Sequence, residues 1–435
     1  MISLMKDSGI EWIGEIPSDW EVIKTKYFTY MKGRIGWQGL KAEEFIDEGP
    51  YLVTGTDFIN GKVNWETAYH ISEERYHEAP EIQLQVGDLL VTKDGTVGKL
   101  ALIDYLPDKA SLNSHLLVVR PLKNRYLTSF FYYVLSSIEF ENYFKLVSSG
   151  STMDSLSQEK MGDFVFTLPN ISEQQIIANF LDEETQKFDD AKNLLQRQIE
   201  KLKEYRKSLI WETVTKGLDS SVEMMDSRVE WIENVPTNWE IKRLKDLVRF
   251  QTGGTPKESA GVNQEQYGIK WFKPGDFKDS SILLVESENH LEEEVVREKK
   301  ISIYPPNTVL LVGIASIGKV GISEDRSYSN QQITALLNRG GIESKFLAYV
   351  MAAMSDYIKD TALYTVVPIV NNQYLSTLNI PFPNIEYQKK IIEYLDSKNR
   401  LINKIIDSKR KQNDVINNYK KTLIYDYVTG KRRVE

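Results

Sequence analysis

Apolar and polar positions follow two rhythms along this chain. The first is one of short apolar runs broken by Gly, Asp and Pro. Tyr51-Leu52-Val53, Asp88-Leu89-Leu90-Val91 and Leu116-Leu117-Val118-Val119 are of this kind, as are Lys270-Trp271-Phe272 and Val309-Leu310-Leu311-Val312. Such runs predict short buried strands. Tyr126 to Phe144 and Lys345 to Ile358 carry apolar residues at helical spacing and predict helices packed on those sheets.

The second rhythm is longer. Ser172-Glu173-Gln174-Gln175, just past Pro169, has the Ser-x-x-Gln form of a capping box and predicts a helix start. Apolar residues follow at Ile177, Phe180, Phe188, Ala191, Leu195, Ile199, Leu202, Tyr205 and Leu209, mostly in steps of three or four, and Gly217 supplies a stop. A second stretch runs through Ile391, Leu395, Ile402, Ile405, Ile416, Tyr419 and Leu423 to Gly430, with polar Lys409 and Asn413 in mid-seam. A helix of about 40 residues is roughly 60 Å long and cannot bury such a stripe alone. Pairing is the economical solution, with Phe188, Ala191, Leu195, Ile199, Leu202 and Leu209 set against Ile402, Ile405, Ile416 and Leu423. Two separate helical hairpins, each on its own domain, are the alternative.

The two halves are copies. Asp7, Glu11-Trp12-Ile13, Pro17 and Trp20-Glu21 recur 219 residues on as Asp226, Glu230-Trp231-Ile232, Pro236 and Trp239-Glu240. Gly98-Lys99 recurs 220 on as Gly318-Lys319, and Pro169-Asn170-Ile171, Gln174 and Leu181-Asp182 recur 214 on as Pro383-Asn384-Ile385, Gln388 and Leu395-Asp396. The fold expected is therefore α+β. Two similar globular regions of mixed strand and helix are joined by two long antiparallel coiled-coil helices about an internal pseudo-two-fold. A duplicated chain of this kind presents two similar surfaces, as readers of paired DNA half-sites do.

At 435 residues the chain fits two to four domains, and its 41% apolar and 27% charged content is that of a globular protein. No stretch approaches a membrane span and the opening residues lack a secretory signal, so a cytoplasmic location is expected. The absence of cysteine excludes disulfides and thiolate metal sites. The net charge of −8 is unevenly spread: Gln186–Lys207 carries +3 and Lys398–Lys421 carries +6, leaving −17 for the rest. DNA contact outside the helices therefore requires local basic patches or a partner's field.

Catalytic motifs are missing. Gly313-Ile-Ala-Ser-Ile-Gly318-Lys319-Val320 has Val320 where a phosphate loop needs Ser or Thr, and strand-like sequence follows. Asp276-Phe277-Lys278 resembles the tail of a nuclease site, but its copy Asp57-Phe58-Ile59 lacks the lysine, so a turn Asp with a core aromatic is the simpler reading. The four histidines, His70, His77, His115 and His290, form no ligand pair. No metal site is expected.

Three loops recur in both halves and are the candidate surface. The first is Lys32-Gly33-Arg34 against Thr252-Gly253-Gly254-Thr255-Pro256. The second is Thr54-Gly55-Thr56-Asp57 against Lys273-Pro274-Gly275-Asp276. The third is Lys93-Asp94-Gly95-Thr96-Val97-Gly98-Lys99 against Gly313-Ile314-Ala315-Ser316-Ile317-Gly318-Lys319. Glycine permits close backbone approach, while hydroxyls, N–H groups and Lys bond phosphate oxygens. Asn113-Ser114-His115 and Asn330-Gln331-Gln332 occupy matching places with groups that read base edges. Ordinary hairpin turns with structural Gly and solvated Lys are the competing reading.

The opening Asp7-Ser8-Gly9-Ile10-Glu11-Trp12-Ile13-Gly14-Glu15-Ile16-Pro17-Ser18-Asp19-Trp20-Glu21 resembles the start of a Type I restriction–modification specificity subunit. The junction Pro169 to Ile177 through Phe180-Leu181-Asp182, and the exit Lys203 to Ile210 through Val214-Thr215-Lys216-Gly217, resemble that family's helix entry and end. The resemblance implies target-recognition domains at 18–168 and 237–382, spacer helices at 169–217 and 383–430, an N-terminal segment at 1–17, and its repeat in a linker at 218–236. It also implies that the chain is not catalytic and binds no cofactor. Modification subunits, expected in two copies, would dock on the helices and bring S-adenosylmethionine; restriction subunits would bring ATP and Mg²⁺. The double-stranded DNA target would be bipartite, with half-site centres roughly 34–36 Å apart. A chain carrying its own methyl-transfer or nuclease centre, and a protein-only scaffold, are the rival readings. Two departures stand out: Tyr387 replaces Glu173 in the second junction, which also loses the Ser, and Ala315-Ser316-Ile317 replaces Gly95-Thr96-Val97.

Overall fold

The computed structural model describes residues 4–11, 13–34, 39–148, 155–255, 262–263, 267–278, 281–298, 301–362 and 370–434. Trp12 of the repeated opening and Pro256 of the second glycine turn lie outside them. The chain forms two compact units: Met1–Leu194 with Lys411–Glu435, and Leu195–Arg410. Each contains one copy of the strand-rich region and a portion of both long helices, Ile171–Lys216 and Ile385–Val428.

In the first unit the main sheet has the order Thr29–Lys32, Leu116–Pro121, Leu89–Thr92, Leu100–Leu102, Lys62–Val63, Phe58–Ile59. In the second, the corresponding sheet runs Val248–Thr252, Ile333–Asn338, Thr308–Val312, Val320–Ser323. A smaller sheet accompanies each: Ala110–Leu112, Ile46–Val53 and Tyr69–His70 in the first unit, and Val262–Asn263, His290–Leu291, Ile269–Phe272 and Ser327–Ser329 in the second.

The central strands read as unbroken apolar runs because both of their faces are covered. Leu89, Val91 and Val119 point into a core with Phe130, Phe131 and Val134 of the helix Thr128–Leu135. Their neighbours Leu90, Leu116 and Val118 point into a second core with Val53, Ala110 and Leu112 of the smaller sheet. The copy repeats this: Val309, Leu311 and Leu336 face Phe346, Leu347 and Val350 of the helix Ser344–Ala353, while Leu310, Val312 and Ala335 face Phe272.

Within each unit the long-helix portions run antiparallel. In the first, Phe180 stacks on Tyr427 at 4.6 Å and Asp189 meets Lys420 at 2.7 Å. In the second, Gln198 accepts from Lys409 at 2.5 Å and Arg206 donates to Asn403 at 3.1 Å. Of the expected seam, Ile199, Leu209 and Ile402 are buried, Leu202 packs beside them, and Leu423 packs on the first unit's core. Phe188, Ala191, Leu195 and Ile416 are only half-buried, and the polar pairs above lie close to them in sequence. Three seam assignments need correction. Ile405 is 37% exposed and its neighbour Ile406, 4% exposed, holds the buried place; Tyr205 and Tyr419 also face out. Both Ile405 and Ile406 satisfy a step of three or four from Ile402, so spacing alone cannot choose between them.

The helix starts differ from expectation too. Asn170, not Ser172, caps the first helix, its Oδ1 accepting from the Glu173 N–H at 3.0 Å. Asn384 does the same for Tyr387 N–H at 2.9 Å, so the second junction retains its cap despite lacking the serine. Behind each cap a fully buried glutamine bridges two elements. Gln174 accepts from Leu127 N–H and donates to the Pro169 carbonyl; Gln388 accepts from Glu343 N–H and donates to the Pro383 carbonyl. About two turns further on, Tyr133 donates to Asp182 and Tyr349 to Asp396, both at 2.6 Å.

The helix ends also match. Gly217 lies against Trp239 and Tyr387, and Gly430 against Pro17 and Trp20. In the second unit the linker makes this junction continuous. In the first it is made by residues from opposite ends of the sequence, with Lys431 donating to the Ile13 carbonyl and Arg433 paired with Asp19 at 2.6 Å and Glu173 at 3.0 Å.

Candidate nucleic-acid interface

The recurrent loops converge at one end of each main sheet. In the first unit the Lys93 N–H donates to the His115 carbonyl, Asn113 N–H donates to the Val53 carbonyl, and Gly55 lies against the Thr92 side chain. Gly33 passes so close to Leu116 that a Cβ would stand 2.8 Å from its carbonyl oxygen. The same cluster forms in the second unit. Gly313 N–H donates to Gln332, Gly253 N–H to Ile333, Gly254 N–H to Ser329 and Asn330 N–H to Phe272. A Cβ on Gly253 would stand 2.2 Å from the Ser329 carbonyl. These two glycines thus serve close packing of the protein on itself, the simpler of the two readings the sequence left open.

The third loop has one backbone shape in both copies despite its different residues. Each is a hairpin turn, between Leu89–Thr92 and Leu100–Leu102 or between Thr308–Val312 and Val320–Ser323. Gly98 N–H bonds Thr92 and Gly318 N–H bonds Val312, while Thr92 N–H and Val312 N–H return to Lys99 and Lys319. Gly95 and Ala315 both have positive φ, 71° and 65°. No helix follows Lys319, so a phosphate-loop role is excluded by topology. The loop also splits functionally. Lys93 and Gly313 join the clusters, whereas Gly318 packs against Ser355 and Lys319 reaches the Phe277 carbonyl at 3.4 Å.

Several side chains are not free to reach DNA as placed. Arg34 is 2% exposed, with its guanidinium donating to the Leu112 carbonyl and Ser111 hydroxyl at 3.0 Å; it is a buried strut that ties the main sheet to the smaller one. Burial pulls its pKa down, and Arg75 nearby adds to that. Asn330 is buried and donates to Gln332, and Ile317 is buried. Asn113 caps its own turn by accepting from His115 N–H. Asp57 and Asp276 accept from the N–H groups of Thr54 and Lys273 at 2.7 Å, which fixes the second loop and agrees with a turn role rather than a nuclease one. Thr54 is half-buried and also donates to Asp57. Lys273 lies over the Trp271 ring at 4.8 Å.

The exposed remainder is Lys32, Thr56, Gly95, Thr96, Lys99 and His115 in the first unit, and Thr252, Thr255, Ala315 and Gln331 in the second. Lys93, Val97, Gly98, Ser114, Gly254, Ser316 and Gln332 are half-buried. His115 lies 3.5 Å from Asp94, and Thr255 donates to Gln331 at 2.7 Å. Hydroxyl, amide, imidazole and ammonium groups on a fixed turn framework suit contact with phosphates and base edges. Among the described residues no group of side chains could hold a metal ion, and no helix is long and apolar enough to cross a membrane.

The long helices show a second surface that sequence reasoning placed in the seam or missed. Leu194, Val415 and Tyr419 in the first unit and Tyr205, Leu401 and Ile405 in the second are exposed. The available signal was apolar residues in excess of what one seam can hold.

Comparison with known proteins adds three findings. The family model described as "Type I restriction modification DNA specificity domain" matches twice, over residues 17–204 and 236–418. The chain is 24% identical to the type I restriction enzyme MjaVIII specificity subunit of Methanocaldococcus jannaschii, covering 97% of this chain and 94% of that one. It is 23% identical to the EcoBI specificity subunit of Escherichia coli, over 82% and 75% of the two chains. A chain from a solved structure on complex assembly and conformational transition of the type I R-M system aligns with a TM-score of 0.70 at 15% identity, covering 96% of this chain and 99% of that chain.

Proposed function

The chain belongs to the type I restriction modification DNA specificity family, and from that membership we propose that it reads a two-part DNA sequence for a modification and restriction complex. One recognition region would read each part. The observation that carries this is the duplication of one loop cluster, on one framework, with different side chains: His115 and Thr96 in one copy, Gln331 and Ser316 in the other. A shared framework with changed tips is what two readers of two different half-sites require. Lys93, Lys99 and Lys319 would hold phosphates, and the exposed amide, imidazole and hydroxyl groups would read base edges.

The chain itself would carry no methyl-transfer or cleavage chemistry. Methyltransferase subunits would bring S-adenosylmethionine and extract the target adenine, and restriction subunits would use ATP and Mg²⁺, all in the cytoplasm. The exposed apolar side chains of the long helices, Tyr205 and Leu401 among them, support docking of those partners.

The test is exchange of residues 18–168 for the corresponding region of another family member, co-expression with the modification subunits, and methylome sequencing. The expected outcome is a methylated motif altered in one half and preserved in the other. A motif altered in both halves, or in neither, would overturn the proposal.

A further inference from the structure

A cavity of about 680 Å³ lies wholly within the second unit. Its walls come from the helix Ser344–Ala353, the start of the helix Ser355–Thr361, residues 277–278 and 281–283, the end of the third loop, and long-helix residues 203–210 and 396–403. Eight Lys and Arg side chains line it, against two carboxylates. Both carboxylates are matched: Asp356 by Lys207, which holds its carboxyl below the usual range, and Asp396 by Lys345 at 3.4 Å and Tyr349 at 2.6 Å. The lining carries six more cations than carboxylates, and an excess of four remains once Glu200, 3.1 Å from Lys203, and Glu286, 3.6 Å from Lys278, are counted, in a chain whose net charge is −8. Low-dielectric walls focus such a field on an anion. Another part of the wall is apolar, from Ile210, Ile282, Leu283 and Val320.

Among the described residues the first unit shows no equivalent. The hollow beside Gly98, the counterpart of Gly318, measures about 280 Å³ and is lined by Tyr132, Phe140, Phe144 and Glu141 with no Lys or Arg. Where the second unit has Lys278, Lys345 and Arg400, the repeat places Ile59, Ser129 and Gln186. Lys319, Arg206 and Lys207 keep cationic counterparts at Lys99, Lys420 and Lys421, so part of the charge is common to both copies and the cations at 278, 345 and 400 belong to one copy.

We propose that this cavity is a binding site for a nucleoside polyphosphate, its base against the apolar wall and its phosphates among the cations. The volume falls within the roughly 300–1,000 Å³ of small-molecule sites. Side chains, rather than the backbone N–H groups of a phosphate loop, supply the charge. The site departs from the expectation that the chain binds no cofactor; it shares Lys319 with the DNA-reading proposal and otherwise stands apart from it.

Calorimetric titration of the full chain with ATP at low salt tests it. Saturable binding of one equivalent is expected, with adenosine failing to bind. In Lys278→Gln/Arg400→Gln, both exposed positions, affinity should fall about tenfold or more through loss of charge-assisted contacts, at an unchanged melting temperature. Absence of saturable binding, equal binding by the variant, or equal binding of adenosine would overturn it. So would a variant that weakens a duplex oligonucleotide while the wild-type chain ignores ATP, which would make the cavity a contact for the DNA backbone.

Discussion

The two units share a framework and differ at its margin. In the first, the hairpin Phe58–Ile59 and Lys62–Val63 extends the main sheet to six strands, and Lys62 pairs in parallel with Leu102. In the second, the sheet has four strands among the described residues, and Leu283 forms a single parallel bridge to Ile322 at the same edge. The central strands, the buried glutamines, the helix caps and the Tyr–Asp bonds are common to both. A duplicated core preserves whatever it takes to close itself, while edges and cavity linings are free to diverge. The basic cavity of one copy, against the aromatic hollow of the other, is the clearest product of that freedom.

If the frameworks are equivalent, paired substitutions should have paired effects. The largest is expected for the tryptophans under the helix ends. Trp20 is fully buried and Trp239 is 5% exposed, so Trp20→Ala and Trp239→Ala should each cost about 3–5 kcal/mol in denaturant unfolding. A loss confined to one of them would break the comparison. Next come Gln174→Ala and Gln388→Ala, each of which strands a half-buried backbone N–H and a buried carbonyl. Losses of about 2–4 kcal/mol are expected for both, given about 1–3 kcal/mol per unsatisfied group. A neutral result at either position would mean that its bridge can be replaced by water.

The smallest effect sharpens the comparison by being unequal. Gly217 and Gly430 both have positive φ, 81° and 72°, so alanine is strained at either, by about 1 kcal/mol. At Gly430 a Cβ would also stand 2.4 Å from the Pro17 ring, whereas at Gly217 the nearest atom is the Tyr387 hydroxyl at 3.0 Å. Gly430→Ala should therefore lower the melting temperature more than Gly217→Ala. Equal shifts would indicate that the ring of Pro17 yields.

Much of this was legible in the sequence because it is periodic or repeated. The strands, the long helices, the turn role of Asp57 and Asp276, and the matching third loops all follow from spacing and self-similarity. The errors arise where spacing is degenerate or a neighbour is distant in sequence. Ser172 satisfied a capping pattern, yet the preceding residue pair Pro169-Asn170 set the helix start. Ile405 and Ile406 were equivalent by step length and differ only in what lies opposite. Arg34 was a candidate for DNA contact on a glycine turn, and its burial depends on Ser111 and Leu112, 77 and 78 residues away. The basic cavity was illegible for the same reason: its cations are scattered from Lys203 to Arg400.

The hook of Lys431 and Arg433 onto Ile13, Asp19 and Glu173 has a consequence for biogenesis. Because the first unit draws its closing residues from 411 onward, a nascent chain emerging at about 5–20 residues per second completes Leu195–Arg410 while the earlier-made unit still lacks its final turns. The portion translated first is thereby the one to mature second, and it waits with the Trp20 surface uncapped until the ribosome has delivered Gly430.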